Sequence, residues 1–499
     1  MPDPNPLAMA ICTHTDNRSH GILNLDNDVL WYIFSINAKM DEISELLTPA
    51  LLTLWYTSQV CSRWRQVAIT SPEMWARVLN LNLFIQTTTN WADEVIRRTG
   101  TALMHVSASF NRYQRQSQLK EGFLVEFLNA HWSRIRSLDV KCHEAGLRGE
   151  ETWKHLFERQ APSLEILIMR SIPGYRITLT SNIAPLLHTL SVEGTELNFR
   201  TLRMPTLRKL YIWEPVFGLD LLNALSHLPF LEVLVLQMHG EERGPLQGAL
   251  DPRNPLPIVT LPHLTSVYFV GDDYCVNFSM SFLAQITPAK GCVLHYAGIY
   301  HDNKVPDYKI ASSILSKYLQ HYTACNPITK AKILGQNFTF NHPSSAYFLF
   351  KLGRNWGGED KNGRLLAALS TIELGGLKIL TLFLSRGLAP SRPGVIKFVR
   401  SLVSVEELRT NLFTLNYLQD ILLSRRKFVL PVLKIIDLEC SGESDNLEIV
   451  TKFINTRIKT KFPPDNLILR FLYSDELEKA REGYKAHFPG VTVTYAQSR

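Results

Sequence analysis

One apolar phrase, Pro-x-Leu-x-x-Leu-x-apolar, recurs along this chain and constrains its fold more than any other feature. It places Pro162, Leu164, Leu167 and Met169 in one copy, then Pro185, Leu187, Leu190 and Val192, then Pro205, Leu207, Leu210 and Ile212, then Pro229, Leu231, Leu234 and Leu236. Further copies run through Pro262, Leu264, Val267 and Phe269, and through Pro431, Leu433, Ile436 and Leu438. Ile135, Leu138 and Val140, and Leu377, Leu380 and Leu382, repeat the pattern without the proline. From Leu164 the next first leucines follow at intervals of 23, 20 and 24 residues. A unit this short supplies one strand and cannot bury its apolar face until a neighbour stacks on it. The proline, which lacks a donor and extends the residue before it, suits the first residues of a strand.

Alternation along each strand sends the leucines inward and the intervening side chains to the other face. That second face would carry Thr189 and Ser191, then Lys209, Tyr211 and Trp213, then Val233, Val235 and Gln237, then Ser266, Tyr268 and Val270. Tyrosine and tryptophan are enriched at interface hot spots, so Lys209, Tyr211, Trp213 and Tyr268 are the candidate target-binding residues. Trp213, at a strand end, could equally pack under the following loop. Leu219, Leu222, Leu225 and Leu228 recur every third residue and predict a helix between two strands.

The array is irregular. Leu231 and Leu264 stand 33 residues apart because residues 240–257 insert a glycine- and proline-rich segment, and residues 270–370 show no clean repeat. Within them residues 309–322 read as helix and residues 353–363 as a glycine-rich loop. The alternative to a repeat array is an ordinary α/β domain with several parallel strands.

Ahead of the array lies a different kind of sequence. Val29, Leu30, Ile33 and Phe34 fall on one helical face, with Asp26 or Asn27 available as N-cap and Asp28 favouring the helix dipole. Leu46, Leu47, Ala50, Leu51 and Leu54 repeat that spacing, as do Val60, Cys61, Trp64 and Ala68. Ser71 and Pro72 open a further helix, serine as N-cap and proline at its first position.

Leu25, the Val29–Leu30 pair with Ile33–Phe34, then Val60, Cys61 and Trp64, then Ser71, Pro72 and Trp75 together resemble an F-box. The phrases at residues 91–100 and 131–140 and the divergent leucine-rich repeats behind them extend that resemblance to the large group of fungal F-box proteins, up to about residue 270. Two departures stand out: Asp26 replaces the usual proline, and the stretch between Phe34 and Val60 is longer than is typical. The implied fold is α/β, a small helical F-box followed by an irregular leucine-rich-repeat solenoid, or horseshoe. Its divisions would be a flexible tail (1–20), the F-box (21–79), a connecting segment (80–130) and the repeat domain (131–499).

The resemblance implies a non-catalytic substrate-recognition subunit of a cullin-type ubiquitin ligase. Leu25, Val29, Leu30, Ile33, Phe34, Val60, Cys61, Trp64 and Trp75 would form the core and adaptor-facing surface jointly. Implied partners are a Skp-family adaptor, a cullin reached through it, and a target protein. A non-degradative scaffold built on the same adaptor is the first alternative, and an enzyme with a site in residues 270–370 the second.

Composition narrows the remaining classes. A net charge of +7 from 53 basic and 46 acidic residues is too small an excess to argue for nucleic acid. Seven scattered cysteines without a C-x-x-C fit a reducing compartment rather than a disulfide scaffold, and no metal or cofactor is expected. The N-terminus lacks a signal-peptide pattern and no apolar run approaches the ~20 residues that cross a bilayer, so a cytoplasmic or nuclear protein is expected. No nucleophile elbow, P-loop, dinucleotide turn or H-E-x-x-H pair is present, and no catalytic residue is expected.

Overall fold

The computed structural model describes residues 25–37, 49–86, 89–110, 121–142, 150–171, 176–213, 218–238, 256–271, 276–298, 307–341, 347–352, 361–384, 393–425, 429–440, 446–471, 473, 478 and 488–497. The chain is mixed α/β, with mostly parallel strands, and divides into two compact units, Met1–Ile172 and Pro173–Arg499. The tail at residues 1–20, Leu46, Leu47 and the insert at 240–255 lie outside the described residues.

In the first unit, helices stand at each place where the spacing predicts one: α1 (Asn27–Asn37), α2 (Ala50–Thr57), α3 (Ser62–Ile69) and α4 (Pro72–Arg77). Ser71 occupies the N-cap of α4 and Pro72 its first turn, but the serine hydroxyl donates to the Val67 carbonyl at 2.6 Å instead of capping. It thereby ties the α4 start to the end of α3. Next come β1 (Leu79–Asn80), α5 (Thr89–Arg98), β2 (Met104–Phe110), α6 (Glu121–His131), β3 (Ile135–Cys142), α7 (Glu150–Glu158) and β4 (Ile166–Arg170). These strands pair in parallel in chain order, and Val106, Leu138 and Leu167 share one buried row. Residues 80–130, expected as a connection, thus contain a strand in register with the first repeat phrase.

The second unit opens with β5 (Arg176–Ile177), β6 (Thr189–Glu193), β7 (Glu196–Leu197), β8 (Lys209–Ile212), α8 (Gly218–Leu225), β9 (Val233–Met238), β10 (Val259–Thr260) and β11 (Ser266–Gly271). It continues with α9 (Val276–Gln285), β12 (Ile286–Thr287), β13 (Val293–Gly298), α10 (Tyr308–Thr323), β14 (Lys330–Leu334), β15 (Asn337–Asn341) and β16 (Tyr347–Lys351). Its last part is α11 (Lys361–Leu369), β17 (Ile379–Phe383), α12 (Pro393–Ser401), β18 (Glu407–Asn411), α13 (Leu412–Arg425), β19 (Ile435–Cys440), α14 (Asn446–Lys459), β20 (Asn466–Phe471) and β21 (Thr492–Gln497). The short pairs β5–β7 and β10–β12 form separate parallel ladders.

The main sheet of this unit runs β6, β8, β9, β11, β13, β16, β15, β14, β17, β18, β19, β20, β21, and every pairing but two is parallel. The exceptions are β16–β15 and β15–β14, an antiparallel meander set in the middle of the sheet. After β13 the chain skips two strand positions to lay down β14, then returns through β15 and β16 to pair with β13. Helix α10 makes that crossing. Asp307 caps it by accepting from the Lys309 and Ile310 amides at 2.8 and 3.3 Å, and Tyr308, Ala311, Leu315, Tyr318 and Tyr322 form its buried face. Phe338, Phe340, Phe348 and Phe350 fill the space beneath it, with Tyr322 and Phe348 rings 5.6 Å apart.

Each repeat phrase that the sequence offers lies on a strand: β3, β4, β6, β8, β9, β11, β17 and β19. Their inward residues continue in register from strand to strand, as in the row Ile212, Leu236, Phe269, Tyr296, Phe350, Phe338, Ile333 and Leu382, all at most 2% exposed. Burying one such side chain is worth about 1.5–3 kcal/mol.

The proline has a different place from the one expected. It stands ahead of the strand, at the second position of a β-turn in which the first leucine amide donates to a buried residue three back. Leu164 donates to Ala161, Leu207 to Met204, Leu231 to Leu228 and Leu264 to Leu261, at 3.0–3.2 Å. Proline presets the φ that position needs, and the turn carbonyl is satisfied where it is buried. The residue after that leucine then bonds back to its counterpart one strand earlier, Glu232 to Arg208 and Lys434 to Glu406, and Glu406 to Lys378 and Asp465 to Lys434 repeat the bond without the leucine, all at 2.7–2.8 Å.

Two local expectations change. Gly363 belongs to helix α11, not to a loop, because the apolar run behind it at Leu365, Leu366 and Leu369 packs inward. On α8 the buried positions are Leu221, Leu222, Ala224 and Leu225, while Leu219 is 38% exposed; a spacing of three drifts off a face that repeats every 3.6 residues.

Candidate functional site

Two surfaces carry the sequence-derived candidates, one in each unit. On α1 the apolar residues separate by side. Leu30 and Phe34, one turn apart, are 0% and 2% exposed, and Ile33 is half-buried. Val29, Tyr32 and Ile36 stand at helical spacing on the other side and are 43%, 63% and 46% exposed. Val29 thus leaves the face that its spacing gives it with Leu30, Ile33 and Phe34, and Tyr32 and Ile36, which lie outside that spacing, join it.

The remaining N-terminal candidates hold the helices together or stand clear of them. Phe34 meets Trp64 edge-on with ring centroids 5.0 Å apart, and Trp64 is half-buried. Cys61 is the N-cap of α3, its sulfur accepting from the Trp64 amide at 3.5 Å. Trp75 is fully buried, donates from Nε1 to the Ala68 carbonyl at 2.9 Å and lies under the Arg98 guanidinium at 4.6 Å. Leu25 is half-buried and its carbonyl accepts from Arg63, whose Nε also reaches Asn27 Oδ1 at 3.0 Å. Val60, on the turn before α3, is 58% exposed.

In the second unit the candidates lie on the sheet face opposite the buried leucines. Tyr211, Val235, Tyr268 and His295 are consecutive partners in one row across β8, β9, β11 and β13. Tyr211 is half-buried, and that burial together with the neighbouring Tyr268 hydroxyl raises its pKa. Tyr268 is 38% exposed and its ring centroid is 4.4 Å from that of His295. His295 in turn lies 4.2 Å from the Tyr347 ring, and its Nε2 is 2.7 Å from the Tyr347 carbonyl, to which it donates. Burial depresses its pKa, partly opposed by that hydrogen bond. Trp213 follows β8, half-buried, with its amide bonded to the Val192 carbonyl at 3.0 Å.

His295 and Tyr347 carry no repeat signal because the phrase is absent between residues 270 and 370. The alternating Phe338 and Phe340, and Phe348 and Phe350, are the period-2 signal that would have located these strands.

Charge is distributed unevenly over this face. Strands β8 to β17 contain no Asp or Glu, and their outward lysines are Lys209, Lys330, Lys332 and Lys351, all exposed. None of the four forms an ion pair with a described carboxylate. Farther along, charges are matched: Arg409 with Glu439 and Arg470 with Asp437, both at 2.6 Å. At the strand entrances Glu406 bridges Lys378 and Lys434 at 2.6 and 2.8 Å, which holds its carboxyl down at about 2.

Among the described residues no group of three or more His, Cys, Asp or Glu is placed to hold a metal ion, and no helix is long and apolar enough to cross a membrane. No family model matches the chain, and no curated protein matches it.

Proposed function

We propose that this chain is the substrate-recognition subunit of a cullin-type ubiquitin ligase, an F-box on α1–α4 docking a Skp-family adaptor and a leucine-rich-repeat solenoid binding the target. The observation that carries the reading is the stripe of Val29, Tyr32 and Ile36 on α1, apolar and exposed on a helical unit whose interior is already filled. Surface apolar residues in a contiguous row mark interaction sites rather than solvent-facing ones. The chain contributes position: holding a target lysine near a charged ubiquitin-conjugating enzyme raises its effective concentration, and the bond-making groups belong to other subunits.

The test is a pull-down of the full chain with a Skp-family adaptor and cullin, followed by a ubiquitin-transfer assay. Val29→Asp and Tyr32→Asp should abolish adaptor capture. Equal capture by wild type and both variants defeats the docking reading. Adaptor capture without cullin or ubiquitin transfer redirects the function to a non-degradative assembly.

A further inference from the structure

We propose that the open sheet face between β8 and β17 receives an acidic, extended segment of a partner protein that also carries an aromatic or aliphatic side chain. This specifies the target chemistry of the recognition reading above and rests on it only in taking this face as the target side.

The first argument is charge. On the strands beyond β17 charges are compensated: Arg409 on β18 bridges Glu439 on β19, and Arg470 on β20 bridges Asp437 on β19. The stretch from β8 to β17 is the exception, because it has cations and no anion on any strand. Lys330 and Lys332 project from one strand, and Lys351 from the far strand of the same meander, with only β15 between them. A cationic face with no carboxylate on its own strands is complementary to an anionic partner.

The second argument is shape and chemistry beside the lysines. Tyr268, His295 and Tyr347 make a continuous run of ring contacts across β11, β13 and β16, the last a strand of the meander, with Tyr268 and Tyr347 still 38% and 44% exposed. Rigid aromatic anchors next to cations without a described carboxylate partner suit a peptide with an apolar anchor flanked by carboxylates. Thr339 and Asn341 on β15 lie between the lysines and offer donors that a carboxylate accepts from.

The meander is what concentrates these groups. It places the strand of Lys330 and Lys332 one strand away from that of Lys351, and brings Tyr347 against His295.

The test uses the full chain and a phage-displayed random peptide library. Enriched peptides should be rich in Asp and Glu around an aromatic or aliphatic residue. A fluorescein-labelled enriched peptide should lose at least about tenfold in affinity to the Lys330→Glu, Lys332→Glu, Lys351→Glu triple variant, less to the corresponding Gln variant, and about tenfold to Tyr268→Ala. These positions are exposed, so the fold is retained, and raising salt should weaken binding of the wild type. Enrichment of neutral or basic peptides, or binding indifferent to charge reversal, overturns the proposal. So does a labelled single-stranded oligonucleotide that binds and loses affinity in the triple variant while acidic peptides do not. Val29→Asp should leave peptide affinity unchanged while abolishing adaptor capture, so failure of the peptide arm with intact adaptor binding counts against the open face alone.

Discussion

The imidazole of His295 lies with its ring centroid 4.4 Å from that of Tyr268, while its Nε2 donates to the Tyr347 carbonyl at 2.7 Å. A ring held on both sides this way couples three strands through one titratable group. Burial depresses its pKa below the unfolded value of 6.5, so as pH falls through that value the unfolded chain takes up the proton more readily than the folded one. Stability is therefore undiminished above the unfolded pKa and falls as pH drops toward the folded one. Urea midpoints of wild type and His295→Gln, compared at about pH 8 and about pH 5, should diverge in slope, with the glutamine variant losing less on acidification. Equal slopes would remove His295 as a contributor; His131, whose pKa burial also lowers, is common to both proteins.

Glu406 behaves in the opposite sense. Its bonds to Lys378 and Lys434 hold its carboxyl at about 2 against an unfolded 4.5, so its contribution is present above pH 4.5 and is lost as pH falls toward 2. Glu406→Gln should leave acid unfolding less steep in that window. An unchanged acid limb would mean the bridge is solvent-screened, as exposed pairs often are.

Helices α11 and α12 approach so closely at Gly394 that a Cβ there would stand 2.4 Å from the Ala367 Cβ. Gly394→Ala should cost about 1–3 kcal/mol by overpacking. Ala367→Gly in the same chain should recover part of that loss, since it removes the atom that is struck. A single variant as stable as wild type, by denaturant midpoint, would contradict the close approach.

The two sides of α1 should respond differently to substitution. Val29→Asp and Tyr32→Asp touch exposed positions and should shift stability by no more than about 0.5 kcal/mol. Leu30→Ala, at 0% exposure, should cost about 2–5 kcal/mol. Similar losses at all three sites in thermal or urea unfolding would place Val29 and Tyr32 in the core.

How far the chain is legible without a structure differs by region. Leu164, Leu187, Leu207 and Leu231 announce their strands because each repeat places one leucine at one position of one turn. Tyr211 and Tyr268 were recognisable as outward residues for the same reason. Between residues 270 and 370 the phrase disappears, since α10 crosses two strand positions and the meander reverses the order of β14 to β16; a periodicity argument assumes that consecutive strands are neighbours. His295, Tyr347 and the lysines of the meander were invisible as a group, being distant in sequence and adjacent only through pairing.

The sequence by itself determined the strand phrases, their inward leucines and the N-terminal helices, because burial of an apolar face with period 2 or 3.6 is a local property of composition. Only the tertiary structure decided which strands lie side by side. That choice follows from how α10 and the aromatic residues beneath it pack, which no local period encodes, and it is what gathers Tyr268, His295 and Tyr347 beside Lys330, Lys332 and Lys351.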